Sequence, residues 1–88
     1  MKQKLKAELT ESFHLPKDLM FGAVIVTATG DREVYVENYK GIMEYSDDKI
    51  KLQTKTCYLT ITGKNLVISY YTNDEMKITG VIQNIRYS

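Results

Sequence analysis

The sequence predicts an all-β fold: a single small domain of six or seven short, mostly antiparallel strands, arranged as a meander or sandwich, with an N-terminal α-helix. Three observations predict it. Residues of high strand propensity are abundant, with seven tyrosines, no tryptophan and many Val, Ile and Thr. Apolar and polar side chains alternate with a period of two through most of the second half of the chain. The stretches are separated by short polar or glycine-containing turns, which suit antiparallel neighbours because parallel crossovers need longer connections.

Length and charge limit the class of protein. The 88 residues suffice for one modest core, and the net charge of +1 comes from interleaved acidic and basic residues. A dedicated nucleic-acid-binding protein concentrates positive charge on one face, so we expect no nucleic-acid partner. The single cysteine, Cys57, cannot form an intramolecular disulfide, which fits a reducing, cytoplasmic compartment. Every apolar run is far shorter than a membrane span.

The chain is predicted to have three parts. Residues 1–15 form an amphipathic helix, residues 16–22 a linker, and residues 23–88 the β domain. Pro16 ends the helix because it restricts the preceding residue to extended conformations.

The helix carries one narrow apolar stripe, in which Leu5, Leu9 and Phe13 are spaced at i, i+4 and i+8. Three lysines in its first turns raise the alternative of a helix that lies on a membrane surface. Glu8 and Glu11 dilute this charge, and three apolar residues are few. Docking of the helix on the sheet or on a partner protein is therefore favoured over lipid contact. We expect the protein to contact a membrane only peripherally, if it does so at all.

The β domain is predicted to contain seven alternating stretches: Ala23–Thr29, Glu33–Tyr39, Ile42–Ser46, Lys49–Thr54, Cys57–Thr62, Leu66–Tyr71 and Met76–Tyr87. The second and third are predicted to form a hairpin around Asn38 and Gly41, because Asn bonds its own backbone and Gly tolerates positive φ. Residues 63–65 are predicted to form another turn. The apolar phase of the last stretch slips at Gly80, which predicts a bulge there.

The shared period of two also predicts the core: Ile50, Leu52, Leu59, Ile61, Leu66, Ile68 and Ile78 are expected to face one interior. Cys57 alternates in phase with Leu59 and Ile61, so it is predicted to be a buried small hydrophobe rather than a reactive thiolate. Gly41 and Gly63 are predicted to occupy positions where a β-carbon is poorly tolerated.

One internal echo has two interpretations. The triplet Ile61-Thr62-Gly63 recurs as Ile78-Thr79-Gly80, at an offset of seventeen residues. Two successive hairpin arms that reuse one turn would produce this echo. The alternative is a short β-solenoid whose coils stack at that period, and two copies are few for such a repeat.

No set of residues supports catalysis. His14 is the only histidine and Cys57 the only cysteine, so neither a usual zinc site nor a Ser/His or Cys/His nucleophile can be built. Glu37 and Glu44 lie on predicted strands but are interpreted as solvent-facing rather than as a glycosidase pair. The sequence lacks phosphate-loop, dinucleotide and calcium-loop motifs. We therefore predict a protein that is not an enzyme and that carries no cofactor or metal.

The strand tyrosines supply the main alternative. Tyr35, Tyr45, Tyr58 and Tyr70 lie on predicted strands, and aromatic side chains on one face of a small OB-like barrel can stack nucleic-acid bases. Strand tyrosines more commonly cover a core and place the hydroxyl in water. Without a basic excess beside them, this second interpretation is favoured, and an exposed tyrosine row equally suits a protein partner.

Five segments, in order and without large gaps, resemble the YabP/YqfC family of sporulation proteins, and the YqfC branch most closely. They are LPKDLM (residues 15–20), VYVENYKGI (34–42), KIKLQTK (49–55), LTITGKNLVI (59–68) and MKITGVIQNIRY (76–87). The segment from Glu37 to Ile42 is the most specific of them.

The resemblance implies a small non-enzymatic protein of endospore-forming bacteria, made in the mother-cell cytoplasm and acting there or at the forespore surface. It implies partners among other sporulation proteins, including a larger membrane-associated stage IV protein, and a homo-oligomer is a further candidate assembly. No catalytic or ligand residues come with the family. The helix stripe and the most specific segment together predict a partner-binding surface made of Leu5, Leu9, Tyr35, Glu37, Asn38, Tyr39 and Lys40.

Overall fold

A computed structural model describes residues 22–88, which form six strands in one sheet. The strands are β1 (Ile25–Thr29), β2 (Glu33–Glu37), β3 (Tyr39–Tyr45), β4 (Lys49–Thr54), β5 (Tyr58–Tyr71) and β6 (Glu75–Tyr87). Their order is β1-β2-β6-β5-β4-β3, and every pairing is antiparallel. The all-β prediction is confirmed. The predicted N-terminal helix, with Leu5 and Leu9, lies outside the described residues.

The long strands β5 and β6 form a central hairpin, and two outer hairpins pair along its edges. The start of β5 pairs with β4, and the start of β6 pairs with β2. The sheet therefore has two halves. The first half contains β1, β2, the start of β6 and the end of β5. The second half contains β3, β4, the start of β5 and the end of β6.

The turn predicted at residues 63–65 is wrong, because the chain continues through it as the single strand β5. Asn65 has a φ of 54°, and the register with β6 shifts on both sides of this segment. Gly80 lies opposite the irregularity with a φ of 136°. Between Lys64 and Val67 the extra residue belongs to β5 rather than to β6, so the pairing is irregular at Gly80 as predicted, but the bulged strand there is β5. Bulges bend and twist a strand without reversing it, and pairing with β6 on both sides of the segment keeps the strand continuous.

The hairpin predicted around Asn38 and Gly41 is also wrong. Strand β2 pairs with β1 and β6, whereas β3 pairs with β4. Asn38 alone joins β2 to β3, with a φ of 69°, and it carries the chain from the first half of the sheet to the second. Strands change layers in this way at the corners of folded sheets. Gly41 lies inside β3, where an added β-carbon would meet no atom within 4 Å, so the requirement predicted for glycine there is wrong.

One cluster of buried side chains joins the two halves. Its members are Val34, Val36, Tyr39, Ile50, Leu52, Leu59, Ile61, Leu66, Met76 and Ile78. Six of the seven predicted core residues belong to it, and the seventh, Ile68, is partly buried and packs against it. The members come from both halves, so one continuous core spans the sheet.

The seventeen-residue echo corresponds to an approximate two-fold relation between β5 and β6. Ile61 pairs with Ile85, and Ile68 pairs with Ile78. Ile78 follows Ile61 by seventeen residues, and Ile85 follows Ile68 by the same number. A two-fold rotation that exchanges β5 and β6 therefore places one isoleucine pair on the other. The β-solenoid alternative is wrong, because the strands pair antiparallel as hairpins rather than stacking as successive coils.

The same relation extends to the turns of the outer hairpins. The β1–β2 turn docks on β6, where the Asp31 carbonyl accepts a hydrogen bond from the Ile82 amide at 2.7 Å. The β3–β4 turn docks on β5, where the Asp47 carbonyl accepts one from the Leu66 amide at 2.8 Å. The two halves thus share one backbone plan and differ in the side chains on their outer surfaces.

Candidate functional site

Of the predicted site residues, Tyr35 and Glu37 lie on β2, Asn38 forms the crossing between the two halves, and Tyr39 and Lys40 begin β3. Asn38 holds this crossing in place. Its backbone amide donates a hydrogen bond to the Asp74 carbonyl at 2.6 Å, and its Nδ2 donates one to the Ala23 carbonyl at 2.8 Å. The crossing is thereby tied both to the residues before β1 and to the β5–β6 turn.

Tyr39 belongs to the core, with 5% of its surface exposed. Its hydroxyl donates a hydrogen bond to the Thr72 carbonyl, which ties the crossing a second time to the β5–β6 turn. Burial of the phenol raises the pKa of Tyr39, because a buried tyrosinate is poorly solvated. Tyr39 supports the crossing from inside, and a partner that binds here would contact the residues around it.

Tyr35 and Glu37 alternate with the buried valines of β2 and lie on the outer surface of the first half. The Tyr35 hydroxyl donates a hydrogen bond to Glu75 Oε1 at 2.9 Å. Hydrogen bonding with Tyr70 and then with the Glu75 carboxylate raises the pKa of Tyr35. Glu37 lies directly opposite Glu75 in the β2–β6 ladder, so two carboxylates are neighbours on this surface.

We call this outer surface the acidic face. Its residues are Ile25, Glu33, Tyr35, Glu37, Val67, Tyr70, Glu75 and Lys77. Three glutamates lie with one lysine, and Lys77 Nζ is 3.5 Å from a carboxylate oxygen of Glu33. The exposed side chains of Ile25, Val67 and Tyr70 add apolar surface. The acidic face therefore combines negative charge with aromatic and aliphatic contact area.

The outer surface of the second half has the opposite charge, and we call it the basic face. Its residues are Glu44, Lys49, Lys51, Tyr58, Thr60, Thr62, Asn84 and Arg86. Three cations lie with one glutamate, and Lys49 Nζ is 3.2 Å from Glu44 Oε1. Lys51 Nζ lies 4.7 Å from the centre of the Tyr58 ring, a cation–π contact. A shallow groove on this face is lined by Lys49, Thr60, Thr62, Asn84 and Arg86.

Lys40 lies on neither face. It is exposed at the start of β3, where the register with β4 shifts between Tyr39 and Gly41. The structure thus brings Tyr35 and Glu37 together on the acidic face and separates them from Asn38, Tyr39 and Lys40.

Sequence reasoning missed the residues that strand pairing brings to these faces. Tyr70 and Glu75 on the acidic face and Arg86 on the basic face come from β5 and β6, far along the chain from their neighbours. Alternation along β4 did place Lys49 and Lys51 on one side of a strand. The alternation within β4 does not indicate which strands pair with β4, so the basic face as a whole was not predicted.

Cys57 organises the β4–β5 turn rather than belonging to a strand. Its amide donates a hydrogen bond to Thr54 Oγ1 at 3.1 Å, and that hydroxyl donates one to the Cys57 carbonyl at 2.7 Å. The side chain is half-buried, which corrects the prediction of a fully buried strand residue. Among the residues that the structure describes, no group of three or more His, Cys, Asp or Glu side chains is placed to hold a metal ion.

Between residues 22 and 88, no helix is both long and apolar enough to cross a membrane.

Comparison with known proteins gives two matches that agree. The model of the YabP family matches residues 23–88. The chain is 33% identical over 86 residues to the uncharacterized protein YqfC of Bacillus subtilis (strain 168), an alignment that covers 98% of this chain and 92% of that protein. No solved structure matches the chain significantly. Both alignments include the crossing, the acidic face and the basic face.

Proposed function

The chain belongs to the YabP family, and on that premise we propose that it is a non-enzymatic protein-interaction module that acts in endospore formation. The family resemblance supports the sporulation context. The acidic face is the observation that carries the interaction role, because it exposes tyrosine and aliphatic side chains beside carboxylates.

The acidic face has the composition of a protein-binding surface. Val67 is 48% exposed and Tyr70 is 45% exposed, and they lie on β5, separated from Tyr35 on β2 by the intervening strand β6. Tyrosine is enriched in protein interfaces because it offers apolar area together with a hydrogen-bonding hydroxyl. The hydrogen bond to Glu75 holds the Tyr35 side chain in place, so binding loses less side-chain entropy.

The proposed partners are other sporulation proteins of the mother cell, and a membrane-associated stage IV protein is the first to test. In this proposal the protein acts in the mother-cell cytoplasm or at the forespore surface, and it meets the membrane through that partner. The role of Leu5 and Leu9 as additional apolar anchors stays a prediction. Partner binding by a chain that lacks residues 1–14 tests this role separately.

The test replaces the native gene of an endospore-forming host with full-length variants and counts heat-resistant spores. The variant Tyr70→Ser combined with Val67→Asp should accumulate normally and fail to support spore formation. It should also lose co-purification with the stage IV protein. Tyr87→Ser is the matched control, because Tyr87 is 55% exposed, lies on neither face and follows Tyr70 by seventeen residues. Normal sporulation of the double variant would show that the acidic face is not the functional surface.

A second candidate, nucleic-acid binding, is favoured by the three cations and Tyr58 of the basic face. Two features weaken it. Lys51 lies over the Tyr58 ring and occupies a face on which a base would stack. The open six-stranded sheet also differs from the five-stranded, partly open barrel of an OB-fold. Electrophoretic mobility shifts at low and moderate salt separate the two candidates, because phosphate contacts weaken steeply with salt.

A further inference from the structure

We propose that the acidic face of one molecule binds the basic face of a second copy of this chain, so that the protein self-associates head to tail. This inference rests on the proposed role of the acidic face as a protein-binding surface and names its occupant.

Equivalent positions on the two faces carry complementary side chains. On the acidic face, Tyr35 and Tyr70 flank Lys77 of β6, whose Nζ is paired with Glu33. On the basic face, Lys51 and Arg86 occupy the corresponding positions and also flank one residue of the strand between them. The approximate two-fold relation therefore places two tyrosines on one face where the other has two cations. Lysine and arginine bind tyrosine rings through the cation–π attraction.

The charges of the two faces are matched in number and opposite in sign. The acidic face has three glutamates and one lysine, and the basic face has two lysines, one arginine and one glutamate. In the single molecule, Glu37 lies directly opposite Glu75, and like charges in that position repel. Cations from a second copy would offset this repulsion, so association would stabilise the two carboxylates that repel each other in the isolated molecule.

The basic face also has a place for a carboxylate. The groove is lined by two cationic side chains, Lys49 and Arg86, and by the polar side chains of Thr60, Thr62 and Asn84. Each of these groups can donate a hydrogen bond to a carboxylate. A glutamate from the acidic face of the second copy has the chemistry that this groove accepts.

The two faces are different surfaces of one molecule, so the contact is heterologous. Such contacts generate rings when the rotation closes and open filaments when it does not. Exposed apolar side chains on both faces, Ile25 and Val67 on one and Tyr58 on the other, supply contact area beyond the charges. The terminal copies of an open array would keep one acidic face and one basic face available for other partners.

The test compares four full-length proteins by sedimentation velocity over a concentration series. The acidic-face variant is Glu37→Gln with Glu75→Gln, and the basic-face variant is Lys51→Gln with Arg86→Gln. Each alone should associate at least about tenfold more weakly than the native chain. The control is Asp31→Asn with Lys64→Gln, which changes exposed charges that lie on neither face and should associate as the native chain does.

An equimolar mixture of the two face variants should form a one-to-one dimer and nothing larger. The acidic-face variant keeps an intact basic face, the basic-face variant keeps an intact acidic face, and only these two faces can bind each other. A two-fold symmetric interface would not be restored by mixing, and non-specific attraction would not stop at a dimer. Circular dichroism checks that each variant is folded. The inference is overturned if the native chain stays monomeric at every concentration, or if the mixture stays monomeric. In either case, loss of spores with the acidic-face variant would still support the proposed function with another partner.

Discussion

A β-carbon at Gly63 would lie 1.9 Å from the carbonyl oxygen of Val81, on the neighbouring central strand. At the corresponding position on the other strand, a β-carbon at Gly80 would lie 2.6 Å from the Asn65 carbonyl oxygen. Both contacts are with backbone atoms, which cannot rotate away as a side chain can. The two glycines therefore allow the central strands to approach at the bulge that separates the two halves of the sheet.

The first prediction is that Gly63→Ala destabilises the fold strongly. The methyl group must displace the backbone of β6, so we expect a loss of at least roughly 1–3 kcal/mol in the free energy of unfolding, or failure to fold. Gly41→Ala is the control, because its β-carbon would meet no atom within 4 Å and its φ is not positive. It should be neutral or should stabilise by up to about 1 kcal/mol. Equal urea midpoints for the two variants would contradict this account of the bulge.

The second prediction concerns the buried cluster. Leu59 and Ile61 are fully buried on β5, and replacing either with alanine should cost roughly 2–5 kcal/mol through lost burial and the cavity that remains. Val67→Ala, on the same strand but 48% exposed, should change stability by less than about 0.5–1 kcal/mol. Urea unfolding measures all three variants. A Val67 variant as unstable as the Ile61 variant would show that the faces of β5 are assigned wrongly.

The third prediction separates the two roles of Asn38. Asn38→Gly keeps the positive φ and removes the hydrogen bond to the Ala23 carbonyl, so it should cost about 0.5–1.5 kcal/mol. Asn38→Ala removes the same bond and also strains the backbone, which adds roughly 1 kcal/mol or more. The thermal unfolding midpoint should therefore fall further for alanine than for glycine. The reverse order would mean that the backbone conformation at the crossing is unimportant.

The core could be predicted from sequence because alternation is a local property. In β4, Ile50 and Leu52 alternate with two lysines, and burial follows that alternation directly. In β2 the same period buries Val34 and Val36. Four members of the cluster were absent from the predicted core: Val34, Val36, Met76 and Tyr39. The first three alternate in the same way, whereas Tyr39 follows a backbone corner at Asn38, and the alternation does not continue through a corner.

The strand pairing could not be predicted in the same way, because turns, bulges and corners use the same residues. Asn38 and Gly63 were interpreted as turn residues, and one is a corner while the other lies beside a bulge. What distinguishes these structures is long-range pairing, such as that of Glu37 with Glu75. The acidic face depends on this pairing, so its composition follows from the register of distant strands rather than from any one segment.

The last prediction is that stability falls at alkaline pH through Tyr39 and Tyr35. Burial raises the pKa of Tyr39, and hydrogen bonding with Tyr70 and Glu75 raises the pKa of Tyr35. In the unfolded chain both phenols ionise near about pH 10. When folding raises the pKa of a phenol, the neutral phenol contributes its full stabilisation at pH values below its pKa in the unfolded chain. This stabilisation is lost as the pH rises towards the pKa of the phenol in the folded protein.

The urea midpoint should therefore stay level with respect to these two groups below about pH 9 and decline as pH rises above about 10. Tyr39→Phe should remove part of this decline, since the buried phenol can no longer ionise on unfolding. At neutral pH the same variant should lose only about 0.5–1.5 kcal/mol, for the hydrogen bond to the Thr72 carbonyl. Tyr35→Phe should likewise flatten the decline, and the two effects should add because the phenols hydrogen-bond to different partners. An alkaline slope unchanged in both variants would show that neither phenol is held neutral by the fold.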